Sequence, residues 1–65
     1  MKLDMQKMLL AMAVKCMTVG ELAERSGISR VALTRFTTGK NNPKPATIGK
    51  IAKALGVPVE SLVDM

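Results

Sequence analysis

The stretch from Thr18 to Phe36, TVGELAERSGISRVALTRF, leaves this chain little choice of fold. Thr18-Val19-Gly20-Glu21 is a capping box, in which a threonine hydroxyl and a glutamate three residues later satisfy each other's backbone N–H groups at a helix start. Leu22 and Ala23 then face inward, with Glu24 and Arg25 outward. Gly27 ends that helix, because a left-handed residue is the common helix stop and glycine adopts it without strain. Ser29 is the next N-cap, and the spacing predicts a second helix to about Thr38. Its inner face is Leu33 and Phe36, entered from Ile28. Its outer stripe is Val31, Thr34, Arg35 and Thr38, with Arg30 beside it. An eight-to-ten-residue helix is marginal by itself, so both helices must be held by the rest of the chain.

The rest of the chain reads as three further helices. A first helix is expected over about Leu3 to Cys16, with Met5, Met8, Leu9, Met12, Ala13 and Cys16 on its inward stripe. Leu10 and Val14 fall partly off that stripe, so the helix is either covered on two sides or presents a partner surface. Gly39 closes the second helix of the central pair, and Lys40-Asn41-Asn42-Pro43-Lys44-Pro45 is a polar, basic connection. A helix over about Ala46 to Leu55 carries Ile48, Ile51, Ala52 and Leu55 at the clearest 3.6-residue spacing in the chain. Gly49 interrupts it at a cost of about 1 kcal/mol, which close approach of another backbone would explain. Gly56 ends it. Pro58 opens a short fifth helix with Val59, Leu62 and Val63 on one side. The fold class is therefore all-α, five short helices around one core, in a single domain spanning residues 1–65.

Charge is unevenly placed. The net charge is +5, but residues 1–24 balance three lysines against three acids. Residues 25–53 carry Arg25, Arg30, Arg35, Lys40, Lys44, Lys50 and Lys53 without one acid, and Glu60 and Asp64 follow. An acid-free block on ordered elements is the footprint of a polyanionic partner, set against the plainer reading of a positively charged solvated face. Histidine is absent and Cys16 is the one cysteine. That inventory offers no zinc-ligand set and no ordinary acid–base pair, so neither catalysis nor a metal or other cofactor is expected. A single cysteine also excludes an internal disulfide and suits a reducing cytoplasmic setting. The apolar run Met8 to Val14 is too short to span a membrane, and Asp4, Gln6 and Lys15 argue against a secretion signal.

Ala23, Gly27 and Leu33 stand at relative positions zero, four and ten, flanked by Leu22, Ile28 and Phe36. This pattern is similar to the helix-turn-helix of the lambda-repressor/Cro-like family, often called XRE-type regulators. The likeness continues through Gly39-Lys40, Pro43, Ile51 to Val57 and Leu62, over about residues 17–63. Two departures stand out. Ser26 replaces the apolar residue usual before the turn glycine and is expected to cap the helix end. Met12 and Thr37 stand where many members pair an arginine with a glutamate. Losing both partners together is the version of that change a folded member tolerates.

The resemblance implies a sequence-specific regulator of double-stranded DNA, a prophage-type or bacterial repressor, with helix 29–38 in the major groove. Arg30, Val31 and Arg35 match positions that reach base edges, with Thr34 beside them. Thr18, Ser29, Lys40, Asn41 and Lys44 look like phosphate contacts, as capping hydroxyls at helix starts and as cations and amides of the connection, while Arg25, Lys50 and Lys53 set the general field. A homodimer on two half-sites is expected through Val57, Val59, Leu62 and Val63, helped by Leu10 and Val14. The alternative is a protein-interaction module on the same fold, of antitoxin or antirepressor type.

Overall fold

The computed structural model describes residues 2–39 and 42–64. Four α-helices follow one another, α1 (Met5–Val14), α2 (Val19–Ser26), α3 (Arg30–Thr37) and α4 (Pro45–Leu55). The expected fifth helix is instead a single 3-10 turn, Val59–Ser61, and two short strands clasp the ends, β1 (Lys2–Leu3) and β2 (Val63–Asp64). They pair antiparallel, Lys2 opposite Asp64 and Leu3 opposite Val63.

That clasp corrects the reading of both ends. Helix α1 begins two residues later than expected because Asp4 is its N-cap, accepting from the N–H groups of Gln6 (2.9 Å) and Lys7 (3.2 Å). The Asp4 N–H itself donates to the carbonyl of Leu62 at 2.8 Å. Leu3 is thereby placed in the core from a strand, not from a helix. The inward face of α1 is also narrower than its sequence suggests. Met8 and Met12 are buried, whereas Met5, Leu9, Ala13 and Cys16 are exposed. The helix ends at Val14, and Cys16 sits in the following turn at φ 52° instead of on a helix face.

The central pair follows its local signals closely. Thr18 caps α2 in a complete capping box, with both the Glu21 N–H to Thr18 Oγ1 and the Thr18 N–H to Glu21 Oε1 bonds at 3.1 Å. Gly27 takes φ 75°, and a Cβ built there would meet nothing within 4 Å. The requirement for glycine at this turn is therefore conformational, not spatial. Ser26 does not cap the helix as expected: its hydroxyl accepts from the Ile28 N–H at 3.2 Å, beyond the helix, and the Gly27 N–H closes the helix end on the Ala23 carbonyl. Ser29 then caps α3 by accepting from the Ala32 N–H at 3.1 Å.

One core ties these elements together. Leu22 from α2, Leu33 from α3, and Ile48, Ile51 and Leu55 from α4 are buried with Met8, Met12 and Leu62. Helix α2 packs against both α3 and α4, and α1 packs against α3. Among the described residues no polar or charged side chain is buried. Met12 accordingly lies in an apolar setting, and the half-buried Thr37 donates its hydroxyl to the Thr34 carbonyl at 2.8 Å, so neither needs a charged partner. Among the described residues the interior is held by burial, with caps, the strand clasp and a few hydrogen bonds at its edge.

Candidate nucleic-acid interface

Helix α3 has two unlike faces. Leu33 is fully buried and Phe36 half-buried against the core, while Val31 is 64% exposed. Arg30, Thr34, Arg35 and Thr38 are exposed with it. An exposed valine among two arginines and two hydroxyls gains nothing in the free protein, where its apolar area stays in water. Thr38 bends its hydroxyl back to the Arg35 carbonyl at 3.0 Å, so at the helix end the hydroxyl serves the backbone. Val31, Thr34 and Arg35 are at spacings of three and four, which places them on one side of α3.

Arg30 departs from that group. It occupies the first position of α3, but its guanidinium lies against Gly20 in the first turn of α2. It shares a cleft there with Thr18, Glu21, Ala23 and Glu24. Sequence spacing fixes where its Cα stands and says nothing of this fold-back. The missing signal was Gly20 itself, a residue without a side chain facing a long cation.

The expected phosphate contacts divide. Ser29 is exposed and its oxygen accepts from Ala32, which leaves its hydrogen to donate outward. Thr18 is more committed, because its Oγ1 both accepts from the Glu21 N–H and donates to Glu21 Oε1 at 3.2 Å. Lys44 is exposed at the N-cap of α4, with no side-chain bond to that helix start. Lys40 and Asn41 lie outside the described residues. The neighbouring Asn42 is engaged structurally, its Oδ1 accepting from the Leu3 N–H at 3.2 Å.

Arg25, Lys50 and Lys53 gather around a separate groove between α2 and α4 with Ser26 and Ala54. Arg25 and Lys53 stand in the last turns of their helices, where a cation complements the negative end of the helix dipole. Their charge contributes to the field without joining the face of α3.

The expected dimer surface is corrected in part. Leu62 and Val63 are buried in the core, and Val57 and Val59 are half-buried against it. Leu10 and Val14, 65% and 70% exposed, form with Ala11, Val57 and the stems of Lys7 and Lys15 an apolar surface on the outside of α1. Among the described residues no group of three or more Cys, Asp or Glu is placed to hold a metal ion, and no helix is long and apolar enough to cross a membrane.

A family model described as "Helix-turn-helix" matches residues 17–62. The chain is 48% identical over 48 residues to the HTH-type transcriptional repressor RghR of Bacillus subtilis (strain 168), covering 72% of this chain and 36% of that protein. It is also 48% identical over 48 residues to the uncharacterized HTH-type transcriptional regulator RghRB of the same organism, covering 72% of this chain and 34% of that one. The chain thus spans about a third of the length of these relatives. No solved structure matches it significantly.

Proposed function

We propose a function from one premise: the chain belongs to the helix-turn-helix family. It is a DNA-binding transcriptional regulator, acting as a repressor, that sets α3 into the major groove of a specific operator. The observation that carries this reading is the two-faced α3, apolar and buried at Leu33, exposed and cationic around Val31. The dimensions agree. An eight-residue helix is about 12 Å long and, with side chains, about as wide as the ~12 Å major groove. The repressor name of one relative supports the direction of regulation.

Val31, Thr34 and Arg35 read base edges. Arginine bonds bidentately to guanine O6 and N7, threonine exchanges hydrogen bonds with any base edge, and valine packs on a thymine methyl. Ser29, Lys44, Lys40 and Asn41 hold phosphates, with Thr18 joining only as Glu21 releases it. Each good base contact discriminates by ~1–3 kcal/mol. Competing sites on the order of a million demand about 8 kcal/mol, more than three such contacts dependably supply. A homodimer on half-sites ~34 Å apart doubles the readout. The exposed Leu10 and Val14, with Val57, supply its apolar surface in place of the buried Leu62 and Val63.

Selection of binding sites from random duplex at two salt concentrations tests the reading. A palindrome with two half-sites one turn apart is expected. For about six phosphate contacts per dimer, affinity should fall about a thousandfold between 50 and 200 mM salt. Arg35→Ala should cost ~1–3 kcal/mol per half-site and relax one base pair in each half. Lys44→Ala should weaken every duplex alike. A protein that holds all duplexes equally tightly is not a sequence-specific repressor.

A further inference from the structure

Gly20 is an α-helical residue whose missing side chain is occupied by another residue. A Cβ built there would overlap the Arg30 Nη2 atom and would stand 3.2 Å from both Cζ and Nε of the same guanidinium. Its backbone is not in the left-handed region, which only Gly27, Gly39 and Gly56 enter among the described glycines. What glycine supplies at position 20 is therefore room. The far end of Arg30 fills that room, drawn across the cleft from α3 to the first turn of α2.

The direction of that fold-back matters. In a helix-turn-helix on duplex DNA, the second helix lies among the base edges and the first crosses the sugar-phosphate backbone. A guanidinium resting on α2 is carried to the level of the phosphates. Its planar fork of donors suits a phosphate as well as it suits guanine, so the chemistry does not oppose the move. Of the two carboxylates lining this cleft, Glu21 and Glu24, Glu21 already accepts from both the N–H and the hydroxyl of Thr18 in the helix cap.

We propose that Gly20 is a specificity-setting position. Lacking a side chain, it seats Arg30 on α2 as a backbone-holding residue and leaves base reading to Val31, Thr34 and Arg35. This rests on the DNA-binding reading above and corrects the base-edge role that the family resemblance gives Arg30. The recognition surface is thus set partly by a residue on the other helix.

The test compares wild type, Gly20→Ala, Arg30→Ala and the double variant by duplex affinity. Each is measured on the selected operator, on its single-base variants and on random duplex, across a salt series, with thermal unfolding alongside. Arg30→Ala should weaken operator and random duplex by one common factor, on the order of tenfold for each protomer, and lower the salt slope by about two for the dimer, with every base preference kept. Gly20→Ala should fold normally, because only a flexible side-chain end must move. It should add a preference at one base pair as Arg30 is released toward the groove, and the double variant should lose that new preference. Should Arg30→Ala relax a single base pair in a wild-type context that selects an operator, the proposal fails and the DNA-binding reading stands. Equal effects of Gly20→Ala with and without Arg30 would overturn it too. A wild type that treats all duplexes alike removes the DNA-binding reading, and the proposal with it.

Discussion

Replacing Gly49 by alanine should stabilise this protein, by an amount the structure bounds from both sides. Gly49 is the fifth of eleven residues in α4, well inside the helix and away from either cap. Its φ is not positive, so alanine meets no backbone penalty. A Cβ built there finds no heavy atom within 4 Å outside its own helix turn, so the added methyl neither clashes nor gains packing. What remains is the intrinsic helix preference of alanine over glycine, about 1 kcal/mol, arising from the unfolded chain's lost freedom. A 65-residue domain is stable by ~3–10 kcal/mol in total, so the change is a tenth to a third of the whole. Thermal unfolding should rise by about 4–8 °C. In urea, an m-value near 1 kcal/mol/M turns the gain into a midpoint shift of about 1 M. Operator affinity, measured well below the transition, should not change. The close backbone approach suggested by the sequence is not what the structure contains. An unchanged or lowered unfolding temperature would mean that a neighbour does crowd Gly49 and that the reasoning is wrong. A stabilised variant with weakened operator binding would instead assign Gly49 a part in recognition that the open space around it gives no reason for.

Two other perturbations separate stability from recognition. Thr18→Ala removes the α2 N-cap and should cost about 1 kcal/mol by urea unfolding. Because the hydroxyl is already bonded to Glu21 on both sides, affinity per folded molecule should change little. A large affinity loss at unchanged stability would restore Thr18 as a primary phosphate contact. The double variant Leu10→Ser, Val14→Ser should leave the unfolding temperature near wild type, since both side chains are largely exposed. Sedimentation at the concentrations used for operator binding should show weakened self-association. Unaltered association would place the dimer contact elsewhere.

The central pair was legible because its signals are local. Thr18 and Glu21 cap within one turn, Gly27 stops the helix through its own φ, and Ser29 restarts it within four residues. No distant residue has a vote in those choices. The ends of the chain were harder for the opposite reason. Leu3 and Val63 pair across nearly the full length of the chain, and two-residue strands carry no periodicity to read. Leu62 and Val63 therefore looked like a spare apolar side when they are core. Asp4 did carry a signal, a helix-capping residue immediately before the methionine run, and it outweighs the apolar Leu3 that precedes it. In α1, methionine and small apolar residues at so many positions satisfy several helical faces at once, so only packing decides that Met8 and Met12 go inside.

The proposed recognition surface raises a different problem, since periodicity places its residues on α3 but not the direction the Arg30 side chain takes. Periodicity sorts α3 into a face that holds, around Leu33, and a face that reads, around Val31. Because these faces are separate, Val31, Thr34 and Arg35 can change with little effect on the core. Arg30 escapes that simple division. Its position belongs to α3, but its side chain depends on whether α2 offers room at Gly20. A substitution on α2 thus has a route to changing what α3 presents. On the proposal made for Gly20, specificity is a property of the helix pair, and the residues that set it include one with no side chain at all.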